Sequence, residues 1–204
     1  MTRHIYPITA VEMHGVNRAA ILDIIRRFGP ISRAAIARDL DVSLPTVLRI
    51  VDRLSQEGLL RFTGTMERSG GRRRELIEFN AHENIAIGID LGGTKLYGAV
   101  ADLGGNILHE ITIAHHNSQG EASFQRLAEL IQTSLDLAHL TGLRLLGIGV
   151  GVPGVTFPEE GVVQWAPSLH WRDFPLKARL MERFGLDDGA HPRVRHAGKK
   201  GNLG

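Results

Sequence analysis

Residues 86–114 read AIGIDLGGTKLYGAVADLGGNILHEITIA, and this run constrains the fold more than any other. A buried-looking strand over 85–91 meets Gly92-Gly93-Thr94, a second strand covers 96–101, and Gly104-Gly105-Asn106 turns into a third that ends near Ile113. Apolar strands broken by such residues reverse tightly, so the segment predicts a β meander. Downstream, ASFQRLAELIQTSLDLAHLTG sets Phe124, Leu127, Leu130, Ile131, Leu135 and Leu137 near helical spacing. LLGIGVGV then reads as a buried strand entering the turn Gly151-Val152-Pro153-Gly154. A helix crossing between strands makes this part α/β.

Composition narrows the classes. The 204 residues contain no cysteine, which excludes disulfide frameworks, thiol catalysis and zinc sites built from thiolates. The N-terminal MTRHIYPITAVEMHG lacks a signal-peptide core, and no apolar run reaches the ~18 residues that span a bilayer, so a cytoplasmic protein without a membrane partner is expected. Charge is uneven. Residues 1–80 hold 13 Arg and no Lys against 9 Asp or Glu, whereas residues 81–184 hold 7 basic and 11 acidic side chains. The basic N-terminal part suits a nucleic-acid-facing module, or a solvated surface.

Within that part, NRAAILDIIRRFG places Ile21, Ile24, Ile25 and Phe28 on one helical face and stops at Gly29-Pro30. Ser32 is positioned to cap a short second helix with Ile36 and Leu40 one turn apart. After Asp41-Val42, Ser43 opens a third helix with Pro45 in its first turn, an apolar stripe of Leu44, Val47, Leu48, Val51 and Leu54, and Thr46, Arg49 and Arg53 turned away. Two short helices joined tightly, the second presenting Ser43, Thr46, Arg49 and Arg53, match the helix pair that lays a recognition helix in the major groove of duplex DNA. LLRFT and ELIEF then predict two short strands around a basic, glycine-rich tip carrying Arg72, Arg73 and Arg74: a wing able to follow the backbone or enter a minor groove, or an inert basic loop.

The turn after Asp90 has two readings. It is an ordinary hairpin turn, or a phosphate site in which Gly92 and Gly93 N–H groups, the Thr94 hydroxyl and Lys95 meet the anion while Asp90 orients water on Mg²⁺. Trp165 and Trp171 are core aromatics or part of a ligand pocket.

Taken together, IGIDLGGTK with its following Gly104-Gly105 turn, the GLLR and SGGRR elements of the head, and GIGVGVPGVTFPEEGVVQWAPSLHW over 147–171 resemble the ROK family (repressor, open reading frame, kinase). The resemblance covers about residues 16–186. It implies a winged helix-turn-helix over 15–80, preceded by a flexible 1–14, and the N-terminal lobe of an actin-like, ribonuclease H-like sugar-kinase fold over 81–186. It further implies ATP and Mg²⁺ at Asp90, Gly92, Gly93, Thr94 and Lys95, and a sugar beside Gly151, Pro153, Gly154 and Ser168, where Ser168 stands in place of the Asn of many family kinases. Family repressors act on double-stranded DNA as dimers or larger oligomers.

The pattern then departs. Where the family has a strand and an Asn-Asp pair whose Asp is the base, the chain reads LDDGAHPRVRHAGKKGNLG, with so few apolar residues that disorder is expected over 187–204. Asp187 and Asp188 lack that setting, the His and three-Cys zinc site is missing, and His191 and His196 read as solvated, so no catalytic or metal residue is assigned. The expectation is a DNA-binding repressor of carbohydrate genes with an incomplete sugar sensor. The alternative is an ATP-dependent sugar kinase bearing a DNA-binding head, inactive at this length.

Overall fold

The computed structural model describes residues 10–69, 72–115, 118–185 and 193–198. Contacts divide the chain into two units, Met1–Asn80 and Ala81–Gly204.

The first unit runs α1 (Ala10–Phe28), β1 (Ile31–Ser32), α2 (Arg33–Asp39), α3 (Leu44–Gln56), β2 (Leu60–Ser69) and β3 (Arg72–Phe79). Ser32 caps α2 by accepting from the Ala35 N–H at 3.4 Å, as its residue type suggests. Ile21, Ile24, Ile25, Ile36, Val47, Ile50, Val51, Leu54, Leu60 and Ile77 form one core between the helices and an antiparallel sheet of order β1-β3-β2. Three sequence expectations are corrected. Helix α1 starts at Ala10, inside the stretch expected to be flexible. Phe28 is 67% exposed rather than part of the α1 stripe. The α3 stripe is Val47, Ile50, Val51 and Leu54, at offsets 0, 3, 4 and 7, whereas Leu44 and Leu48 are exposed. Leu48 follows Val47 by one residue, about 100° round the helix, which carries it off the buried face.

The wing is also more regular than its composition suggests. Strands β2 and β3 stay paired from Leu60↔Phe79 out to Ser69↔Arg72, with an irregularity between Phe62 and Met66 where Gly64 takes a positive φ. The tip residues Gly70 and Gly71 lie outside the described residues.

The second unit contains β4 (Asn84–Leu91), β5 (Lys95–Asp102), β6 (Ile107–Ala114), α4 (Glu121–Leu140), β7 (Arg144–Val152), β8 (Val155–Phe157), β9 (Val162–Ala166), a 3-10 turn (Pro167–Leu169), β10 (Trp171–Phe174), α5 (Leu176–Phe184) and β11 (Arg193–Gly198). The meander β4-β5-β6 is antiparallel, and after the α4 crossover β7 joins β4 in parallel. The resulting sheet has the order β11-β7-β4-β5-β6, flanked by a small antiparallel sheet β8-β9-β10. Period-two alternation puts Ile87, Ile89, Val100, Ile148 and Val150 on the face that shares a core with Phe124, Leu127, Leu130 and Ile131 of α4.

Within the stretch expected to be disordered, 187–204, residues 193–198 pair in parallel with β7 from Arg193↔Gly147 to Gly198↔Val152. Backbone hydrogen bonds to an open sheet edge need no apolar side chains, so a count of apolar residues does not detect such a strand. Asp187, Asp188 and His191 lie outside the described residues.

Candidate nucleic-acid interface and ligand cleft

Helix α3 has two adjacent outward rows at i, i+4 spacing: Leu44, Leu48 and Asp52, and beside it Pro45, Arg49 and Arg53, all exposed. Arg49 has no ion-pair partner among the described residues. Arg53 reaches Glu57 at 3.3 Å, and Glu57 is also bound by Arg18. Ser43 and Thr46 bond each other through their hydroxyls at 2.8 Å, and Thr46 is half-buried. Arg72, Arg73 and Arg74 begin β3, opposite Ser69, Arg68 and Glu67.

Helix α3 is also contacted by Arg33, which residue patterns did not single out. Its guanidinium bonds Asp52 of α3 at 3.2 Å, lies 3.8 Å from Glu75 of β3 and sits 4.8 Å over the Phe62 ring of β2. One side chain thus links α3 to the β2–β3 hairpin. An Arg directly after a cap gives no local signal of this, because its partners come from three distant segments.

In the second unit, the sheet face opposite α4 is lined by small residues. Gly88, Asp90, Tyr97, Ala99, Gly149, Gly151, Pro153 and Gly154 are among those bounding an open cleft of about 800 Å³. Asp90 and Gly151 are register partners in the β4–β7 ladder, so the phosphate and sugar segments inferred from sequence meet at one opening. Tyr97, Gly88 and Gly149 were missed, although the GIGVGV alternation places Gly147, Gly149 and Gly151 on a single face.

The β4–β5 turn is tighter than a free phosphate loop. The Gly92 N–H donates to the Lys95 carbonyl at 3.1 Å, and a Cβ at position 92 would lie 2.6 Å from that oxygen. The Thr94 carbonyl accepts from the His115 N–H at 2.9 Å. Gly93, with open space around it, Thr94 and Lys95 are exposed, whereas Gly92 shapes the turn. Ser168 is exposed on the 3-10 turn and does not bound the cleft. Asp90 is exposed, and no group of three or more His, Asp or Glu able to hold a metal occurs among the described residues.

Two networks hold these loops. Asp102 accepts from the Asn106 backbone at 2.8 Å and side chain at 2.9 Å, and pairs with His82 at 2.8 Å; Asn106 first and His82 second hold its carboxyl far below the usual range. Trp171 is buried, stacks on Phe174 at 4.3 Å and donates Nε1–H to the Gly120 carbonyl, while Arg179 bonds Glu121 in a fork. Trp171 is therefore a core aromatic, whereas Trp165 is 57% exposed.

The fold and its two sites define a winged helix-turn-helix joined to an actin-like lobe. Residues 86–195 match the ROK family, more than half of the sequence, and the chain belongs to that family. Residues 16–64 also match the MarR family. The chain is 35% identical over 172 residues to a putative xylose repressor of Caldicellulosiruptor sp. strain Rt8B.4, covering 84% of this chain and 43% of the relative. It is 29% identical to the xylose repressor of Bacillus subtilis strain 168 (84% and 44%) and 27% identical to the DNA-binding transcriptional dual regulator NagC of Escherichia coli K12 (83% and 42%). The chain thus spans less than half the length of these relatives. A crystal structure of a ROK family transcriptional regulator, described as a homologue of the E. coli MLC protein, superposes with a TM-score of 0.76 at 23% identity over 91% of this chain and 46% of its own, which shows the fold. Among the described residues no helix is long and apolar enough to cross a membrane.

Proposed function

We propose that the chain acts in the cytoplasm as a DNA-binding transcriptional repressor of carbohydrate genes, with α3 in the major groove and the wing arginines on the backbone or in the flanking minor groove. The observation that carries this reading is the outward row Arg49–Arg53 on a helix tied by Arg33 to a basic hairpin. The relatives named as repressors support it. A dimer would match paired half-sites, and a sugar at the cleft beside Asp90, Gly151, Pro153 and Gly154 would shift DNA affinity by binding one conformation more tightly. The relatives' names put xylose and N-acetylglucosamine first in a calorimetric panel. The test is fluorescence anisotropy of operator-like and random duplexes at about 150 mM salt. Preference for one sequence, with affinity falling about 10-fold in Arg49→Ala, supports the reading; equal binding to all duplexes defeats it.

A second reading is favoured by the shared opening of Asp90 and Gly151: ATP-dependent phosphorylation of a sugar hydroxyl, with Gly93, Thr94 and Lys95 on the phosphates and Asp90 on Mg²⁺. Glucose-dependent ATP consumption that vanishes in Asp90→Ala would place this reading first.

A further inference from the structure

The outward face of α3 is not uniformly polar. Leu44 and Leu48 are 44% and 39% exposed, one turn apart, although the helix already buries Val47, Ile50, Val51 and Leu54. A single exposed leucine is commonplace; two in one row, in the half of the helix that meets base edges and beside the Arg49 row, call for a partner with apolar groups set among negative charge. The acidic residues nearby are engaged, Asp52 by Arg33 and Glu57 by Arg18, so they oppose a polyanion less than their number suggests.

On the floor of the major groove the thymine 5-methyl is the one bulky apolar group; the other edge positions are donors, acceptors or small C–H groups, such as the C5–H of cytosine, that fill far less space. A leucine packed there gains contact with a methyl, and it leaves the amino and carbonyl groups of other base pairs dry and unpaired. We propose that Leu44 and Leu48 read thymine methyl groups, making them specificity-determining residues of the recognition helix. At about 1.5 Å per residue the two stand about 6 Å apart along the axis, which places their thymines within about two base-pair steps of each other. Arg49 lies alongside, where a phosphate or a guanine edge is within the reach of its fork. The proposal rests on the reading of the chain as a sequence-specific DNA-binding protein.

The experiment selects a preferred duplex for the full chain from a random pool, then replaces each thymine singly by deoxyuridine, which removes only the methyl group. Binding is expected to weaken about 3- to 5-fold at two positions within two steps of each other and to stay unchanged elsewhere. Leu48→Ala should abolish the effect at one of them and Leu44→Ala at the other, with the dependence of affinity on salt unaltered. Affinities within twofold of the parent at every deoxyuridine position would overturn the methyl-reading role while leaving DNA recognition intact. Failure to enrich any sequence would overturn DNA recognition itself, and the inference with it. A loss of self-association in Leu44→Ala and Leu48→Ala, without loss of methyl sensitivity, would assign the two leucines to a second copy of the chain and also overturn the proposal.

Discussion

Gly154 takes a φ of +103° at the mouth of the cleft, and a Cβ there would collide with the carbonyl oxygen of Trp165. Both strain and overlap act against any side chain, so Gly154→Ala should lose about 3 kcal/mol of stability in urea unfolding, against little change for Gly93→Ala, where a Cβ meets open space. Asp102 gives a pH prediction. Its carboxyl is held below its ordinary value, so the unfolded chain binds the proton more readily, and the contribution of Asp102 is present above about pH 4 and disappears as pH falls. The urea midpoint of the parent should fall progressively as the pH is lowered below about pH 4, and that of Asp102→Asn should be lower at pH 7 and flatter across the same window. His115 shifts in the same sense at higher pH: burial holds its imidazole neutral, so acidification below its ordinary value of 6.5 works against the fold.

Among the elements, α3 shows how far a pattern leads. Its existence, its start at Ser43-Leu44-Pro45 and the outward turn of Arg49 and Arg53 followed from residue spacing. Its rotation did not: Leu44 and Leu48 are as apolar as Val47 and Val51, and only contact with α1, α2 and the sheet selects which residues go inward. The same contacts make Arg33 a prop for α3. Removing it takes away two partly exposed ion pairs and a cation–π contact, so Arg33→Ala should destabilise the N-terminal unit by about 1–2 kcal/mol, read as an earlier urea transition with weaker DNA binding. Arg33→Lys should recover less than half of this, because an ammonium cannot fork between Asp52 and Glu75.

At the scale of the whole molecule, β11 closes the β7 edge of the five-stranded sheet. Deleting residues 187–204 would leave the glycine-rich β7 unpaired along that side. The truncated protein should scatter light and elute as aggregates at concentrations where the full chain does not, with the N-terminal unit's unfolding transition unchanged.

The sequence by itself determined the three helices and the hairpin of the N-terminal unit, the β4–β6 meander with the α4 crossover into β7, and the division near Asn80. These depend on local periodicity, on turn residues and on charge, all carried by neighbours along the chain. The tertiary structure alone decided which face of α3 is free, that Gly92's N–H is spent inside its own turn, that Asp90 and Gly151 border one cleft, and that residues 193–198 join a sheet. Each of these is a contact between segments far apart in sequence. Such contacts are settled by packing and by the pairing of backbone groups, which no local pattern of residue types records.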